Sequence, residues 1–256
     1  QQLGEIWGYV VDGYFKTDEE ARNYKVDQSF VNQMINASAL DNGLHAGDLK
    51  FVDLDGNNKI EQTTSANDRK DMKVIGNSLP RYNYNFGISA DWYGIDFSVL
   101  FQGIGKQNWY PGAETSMFWG PYSRPYASFI PSDFMSQVWS EENTDAYFPR
   151  PRGYVALGSN RELAVVNTKY LQNLAYCRLK NLSIGYTLPD KWLSKIGFEK
   201  IRVYFSGENL LTFTKLHSDY IDPEQASASN SWKTSKSDAN IYPWAKTYSF
   251  GVDITF

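Results

Sequence analysis

The sequence predicts an all-β fold: the C-terminal portion, about six antiparallel strands, of a large transmembrane β-barrel with long extracellular loops. Three observations lead to this prediction. Apolar and polar residues alternate with a period of two over segments of about ten residues, the length that a tilted strand needs to cross a bilayer. Short and long links between these segments alternate along the chain. Aromatic residues make up 16% of the 256 residues and gather near the strand ends, as the two membrane interfaces favour.

The C-terminal segment, Lys246 to Phe256, carries the strongest strand pattern. Its apolar face consists of Tyr248, Phe250, Val252, Ile254 and Phe256. Strands of soluble sandwiches are usually about five or six residues long, so the length of this one favours a membrane strand. The terminal Phe256 resembles the aromatic signal that the barrel-insertion machinery reads, and it is predicted to be a barrel-assembly signal.

Five further segments show the same alternation: residues 82–92, 95–102, 181–188 and 201–211, and more weakly Ile6 to Val11. The links after residues 92 and 188 are short, whereas those over roughly 12–80, 105–175 and 212–245 are long. Barrels of the outer membrane have short periplasmic turns and long outer loops, so the long links are predicted to be extracellular. About six strands do not close a barrel, so further strands are expected from a preceding segment or another chain.

Composition excludes several classes of function. A net charge of -4 gives no support to a nucleic-acid partner, and Cys177 as the only cysteine excludes an intrachain disulfide. No apolar run approaches the roughly 18 residues of a membrane helix. Serine-hydrolase, zinc-protease and phosphate-loop motifs are missing, so no catalytic residue and no enzyme activity is predicted.

Several segments resemble, in order, the late barrel of the SusC-like (SusC/RagA) TonB-dependent transporters. They are Gly47–Ile60, Ile75–Tyr84, Phe101–Gly103, Tyr176–Pro189, Arg202–Leu210 and Tyr248–Phe256. The resemblance implies that residues 1–256 are the C-terminal part of a barrel of about 22 strands in the Gram-negative outer membrane. It also implies a role in the import of glycans or peptides. The implied partners are the remaining barrel and plug segment, TonB acting through that plug, a SusD-like surface lipoprotein as a lid, membrane lipid and the substrate.

The first long link contains a candidate calcium site. Asp and Asn side chains at positions 1, 3 and 5 of a loop, with a main-chain carbonyl at position 7, can surround one hard cation. The pattern departs from the EF-hand at position 6, where Asn58 replaces Gly, and at position 12, where Thr64 replaces Glu. The alternative is a turn held by bonds from its own side chains to its own backbone. The candidate ligands are Asp53, Asp55, Asn57, Lys59 and Asp68.

The second long link is rich in aromatic residues interleaved with Pro and Gly. Exposed aromatic rings stack on substrates or anchor protein interfaces, whereas buried rings would pack the loop against itself. Arg150 and Arg152, farther along the same link, are expected to be solvated or to face the saccharides of the outer leaflet. The candidates for contact with substrate or lid are Trp109, Tyr110, Trp119 and Tyr122, with Phe118 and Tyr126 beside them.

A secreted β-sandwich, a carbohydrate-binding module with a calcium loop, is the alternative interpretation of the whole sequence. Strand length and the alternation of short and long links favour the membrane barrel over it. An outer-membrane enzyme is the third hypothesis, and the missing catalytic motifs disfavour it.

Overall fold

The computed structural model describes residues 2–32, 43–63, 65, 67–124, 129–158, 161–193, 197–228, 236–237 and 242–256. The chain divides into two compact units that follow the predicted alternation of strands and links. The sheet unit consists of Pro80–Gln107, Leu174–Leu216 and Tyr242–Phe256. The loop unit consists of Gln1–Leu79, Asn108–Asn173 and His217–Ile241.

Strands dominate the secondary structure. In chain order the elements are β1 (Glu5–Tyr9), β2 (Val11–Tyr14), α1 (Asp18–Arg22), β3 (Leu49–Phe51), β4 (Met72–Asn77), β5 (Arg81–Trp92), β6 (Ile95–Lys106), β7 (Asn108–Pro111), α2 (Ser116–Trp119), β8 (Gln172–Asn173), β9 (Tyr176–Thr187), α3 (Asp190–Leu193), β10 (Lys200–Thr214), α4 (Pro223–Ala228), β11 (Lys236–Ser237) and β12 (Thr247–Thr255). Among the described residues, no helix is long and apolar enough to cross a membrane.

The sheet unit is a five-stranded antiparallel sheet in the order β5-β6-β9-β10-β12, so each of these five strands pairs with the next of the five along the chain. β5, β6 and β9 each contain 12 residues, enough for a tilted crossing of a bilayer. β5 and β6 are joined by Tyr93 and Gly94, whose φ angles of 47° and 84° suit a type I′ hairpin turn. The prediction of long antiparallel strands with short turns is confirmed.

The weakest predicted strand, Ile6 to Val11, is not part of this sheet. Residues Glu5–Tyr9 form β1, which pairs with β4 inside the loop unit, so the sheet has five strands rather than six. Ile6 and Tyr9 are buried there. Burial alternates only from Glu5 to Gly8, and a short strand inside a folded unit shares this pattern with a membrane strand, which explains the error.

One face of the five-stranded sheet is apolar from edge to edge. Paired residues share a face, so the strand register aligns their side chains in rows. One row contains Ala90, Phe97, Ile184, Phe205 and Phe250, and the next contains Trp92, Ile95, Tyr186, Val203 and Val252. Phe250 is 83% exposed, so within the described chain no second sheet covers this face as it would in a sandwich.

The opposite face of the sheet is polar. A row of serines crosses all five strands: Ser89, Ser98, Ser183, Ser206 and Ser249. Toward the turn end, Arg202 binds both carboxylate oxygens of Asp96, at 2.8 and 2.6 Å, and one oxygen of Asp253 at 3.2 Å. This arrangement needs Gly185 on the intervening strand, because a Cβ there would lie 2.4 Å from the Asp96 carboxylate.

Short local elements build the loop unit. The pairs β1–β4 and β2–β3 and the sheet β11-β7-β8 are its ordered strands. Thr17 caps the start of α1, because its side chain accepts a hydrogen bond from the Glu20 amide. Three acidic residues in the first turn interact favourably with the positive end of the helix dipole. An aromatic core formed by Phe118, Trp119, Tyr122, Phe148 and Tyr170 holds the second long link together.

Candidate functional site

The four aromatic residues predicted to touch substrate or a lid protein lie in the core of the loop unit. Their side chains are at most 1% exposed. The hydroxyl of Tyr110 donates to the Leu163 carbonyl at 2.8 Å, and that of Tyr122 donates to the Pro149 carbonyl at 2.6 Å. The Trp119 indole donates to the Gly112 carbonyl at 2.9 Å, and Trp109 is fully buried.

These contacts correct the prediction. Trp109, Tyr110, Trp119 and Tyr122 pack the loop against itself, which was the alternative, and their rings have no free face for a ligand. Burial raises the pKa of Tyr110 well above its ordinary value, so its hydroxyl remains a hydrogen-bond donor at every physiological pH. Tyr126 lies outside the described residues.

The expectation of solvated arginines is also corrected. The Arg152 side chain is only 5% exposed and forms ion pairs with Asp48 and Glu162, both fully buried. Arg150, about one-third exposed, binds Asp48 as well. Two arginines and two carboxyl groups meet here, and they tie the first long link to the second, because Asp48 comes from the first and the other three residues come from the second.

Burial dominates the electrostatics of this ion cluster, which consists of Asp48, Arg150, Arg152 and Glu162. Desolvation raises the pKa of Glu162 to about 7, although the neighbouring Arg152 favours its charged form. A carboxyl group titrating near neutrality inside the loop unit makes the packing of the two links sensitive to pH.

The predicted calcium loop has the hydrogen bonds of a tight turn. The carboxylate of Asp53 accepts the amides of Gly56 and Asn58 at 2.7 and 2.6 Å. Asp55 accepts the Asn57 amide at 3.1 Å, and Asn57 accepts the Lys59 amide at 2.8 Å. Asn58 adopts the left-handed conformation, with φ 61°, that the turn requires.

Asp71, which the sequence analysis did not single out, joins two of the predicted ligands. Carboxylate oxygens of Asp53, Asp55 and Asp71 all lie within 4.8 Å of one another. Asp71 is buried and accepts the amides of Leu54 at 2.9 Å and Glu61 at 2.7 Å. Burial raises its pKa, and the charges of Asp55 and Asp53 add to the effect.

One candidate ligand of the predicted calcium site lies elsewhere. Asp68 is not part of the carboxylate group, and its side chain lies 3.6 Å from Lys70 Nζ. Thr64 lies outside the described residues. Calcium binding therefore stays a prediction, with Asp71 in place of Asp68 as the third carboxylate.

The terminal Phe256 is exposed, and its ring lies 5.3 Å from that of Phe198, centroid to centroid. It directly follows β12, the edge strand of the sheet. Its role as a barrel-assembly signal stays a prediction.

Three curated proteins of Formosa agariphila are similar to the chain in sequence, whereas no protein-family model matches it. TonB-dependent receptor P3 is 31% identical over 212 residues, covering 80% of this chain and 19% of the receptor. TonB-dependent receptor P26 is 26% identical over 227 residues, covering 87% and 21%. TonB-dependent receptor P39 is 25% identical over 281 residues, covering 100% and 25%. The chain thus spans about a fifth to a quarter of these relatives.

Solved structures of the same fold come from a peptide importer. The RagAB peptide importer in its open-open state matches 98% of this chain and 22% of its own chain, with a TM-score of 0.56 and 20% identity. The structure of the RagAB peptide transporter matches the same shares with a TM-score of 0.57 and 19% identity. At these identities the likeness establishes the fold.

Proposed function

The chain belongs to the SusC-like TonB-dependent transporters of the outer membrane, and on this basis we propose that its sheet unit forms part of the barrel wall of a nutrient importer. The loop unit then belongs to the extracellular side, because it is built from the three long links. The proposed cargo is a glycan or a peptide.

The contrast between the two faces of the sheet is the observation that carries this proposal. The apolar rows that contain Phe250 and Val252 meet lipid, and the serine row meets the interior of the barrel. A water-filled or plugged barrel needs this division, since its strands alternate between an apolar outside and a polar inside. A secreted sandwich would instead bury the apolar face against a second sheet.

The proposed partners follow from the open edges and from the family. β5 and β12 lie at the sheet edges, and lipid offers no hydrogen bonds to an unpaired edge, so further strands of the barrel must pair with them. A plug segment that couples to TonB and a SusD-like surface lipoprotein complete the proposed importer. Peptide cargo is supported by the similarity to RagAB, which is a peptide importer.

The test is an uptake assay with cells that carry or lack the complete transporter. Removal should abolish uptake of one cargo class from a mixture of defined oligopeptides and oligosaccharides, and a protonophore should have the same effect, because TonB-driven import is energised. Restoring the gene should restore uptake. Equal uptake of every cargo with and without the transporter would contradict the proposed function.

A further inference from the structure

The loop unit contains an open groove of about 670 Å³ that none of the predicted sites uses. Its volume lies in the range of small-ligand sites. Titratable side chains dominate its walls, together with one tryptophan. The residues that matter are Lys16, Asp18, His45, Trp139, Glu141 and Arg150.

Three of these titratable side chains already have partners in the fold. The Asp18 carboxylate accepts the Ala46 amide at 2.9 Å and lies 3.7 Å from His45 Nδ1. Arg150 is held by the buried Asp48. These groups give the groove fixed walls, because each is tied to the backbone or to the ion cluster.

One cation and one anion of the groove are available to a ligand. Lys16 Nζ lies 3.9 Å from Asp145, and both side chains are highly exposed, at 65% and 89%, so water screens that pair strongly. Glu141 is exposed and has no ion pair within the part of the chain that the structure describes. The groove therefore offers a positive group in a water-screened ion pair and a negative group with no ion pair among the described residues.

The tryptophan does not provide a platform for a sugar ring. Trp139 is 7% exposed, and one face of its ring packs on Gly47, where a Cβ would lie 2.6 Å from the ring. A neutral saccharide would also displace water from the charges of Lys16 and Glu141 without offering them a counter-charge of its own. A ligand that carries both signs of charge avoids that penalty.

We propose that this groove binds oligopeptides that carry both an ammonium and a carboxylate group, with Glu141 facing the cation and Lys16 the anion. The inference rests on the proposed import function and selects peptide over glycan for this site. The groove would hold cargo at the extracellular side before it enters the barrel.

Calorimetry on the purified complete transporter in detergent tests the site. The probe is a tetrapeptide with one lysine and one glutamate, acetylated and amidated so that only its side chains are charged. Glu141→Gln should weaken binding of this peptide about fivefold and leave unchanged the binding of a peptide with glutamine in place of the lysine. Lys16→Gln should weaken binding of the doubly charged peptide and leave unchanged the binding of a peptide with glutamine in place of the glutamate.

Glu142→Gln is the matched control, since this neighbouring carboxylate does not line the groove, and it should bind all peptides as the unchanged protein does. All three substitutions are at exposed positions, where folding tolerates them. If the Glu141 and Lys16 variants bind all three peptides as tightly as the unchanged protein does, the groove is not the binding site. Import that persists in those variants leaves the importer function standing, whereas charge-selective binding without import would contradict that function alone.

Discussion

At the scale of single residues, the carboxylates of the loop unit are the groups that the fold changes most. Asp48 and Glu162 are fully buried, and Asp71 is buried beside Asp53 and Asp55. Water no longer solvates these groups, so arginines or backbone amides must do so. Glu162 therefore makes the loop unit sensitive to pH, and the group around Asp71 is where calcium binding is predicted.

Glu162 should make the loop unit more stable at acidic pH. Its pKa in the fold is raised from 4.5 to about 7, so the stabilisation is complete below pH 4.5 and is lost as the pH rises through 7. We expect the opening free energy of residues 150–158, from amide exchange corrected for intrinsic rates, to fall by up to about 3 kcal/mol between pH 5 and pH 8. Glu162→Gln should remove this difference, whereas the exposed Glu142→Gln should keep it. If the opening free energy falls with pH to the same extent in the Glu162→Gln variant, titration of Glu162 is not the cause.

Calcium, if bound, should depend on Asp71 and not on Asp68. Asp53→Asn and Asp71→Asn each remove a carboxylate from the group within 4.8 Å, whereas Asp68→Asn changes a residue outside it. We expect the first two to weaken calcium binding to the complete transporter at least tenfold and the third to leave it unchanged. Titration with calcium after chelation is the measurement. If the amide exchange rates of residues 53–61 are the same with and without chelator, the segment is a turn that binds no calcium.

At the scale of elements, glycines decide which side chains can cross a strand. Gly185 of β9 lets Arg202 of β10 reach Asp96 of β6 over the strand between them. The ion pair thus links strands that are not neighbours in the sheet. This ion pair, which crosses the strand at a glycine, adds to the backbone hydrogen bonds that hold the sheet together.

Gly185→Ala should lower the stability of the barrel by about 1–3 kcal/mol, because the added methyl group overlaps the Asp96 carboxylate and the Arg202 guanidinium. Ser183→Ala, two residues away on the same face, should have little effect. The temperature at which the complete barrel loses its compact form on an unheated gel reports the change. Equal transition temperatures for Gly185→Ala and Ser183→Ala would show that Asp96 and Arg202 can shift to make room for the methyl group.

Elements also mark the limit of what sequence can predict. The long strands were predictable because a period of two extends beyond what a soluble strand needs, as in Tyr248 to Phe256. The burial of Trp109 and Trp119 could not be predicted, because a loop rich in aromatic residues has the same composition whether its rings are exposed or packed together. Asp48 and Arg152 are 104 residues apart, and no local pattern links them.

At the scale of the whole molecule, the chain separates a surface for lipid from a surface for water. The apolar face of the sheet continues without interruption through five strands, and the polar face does the same. Within the described residues no second layer covers the apolar face, which fits a sheet with lipid on one side and a polar interior on the other.

Phe250→Lys and Ser249→Lys are matched substitutions on the two faces of β12. A lysine in place of Phe250 meets hydrocarbon and should destabilise the barrel by about 2–4 kcal/mol near the bilayer centre. A lysine in place of Ser249 faces the interior and should be tolerated. The amount of folded complete transporter in outer-membrane fractions is the readout, and equal yields would contradict the assignment of the faces.

The serine row has a consequence for clearance. Serine has a short side chain, so the side chains of this row, from Ser89 on β5 to Ser249 on β12, project only a short distance from the sheet. Under the proposed import function, a cargo that passes along this line comes close to the backbone of the wall. A bulky ring in place of the central serine, Ser183→Trp, should therefore slow large cargoes more than small ones, while the ladder of hydrogen bonds remains intact.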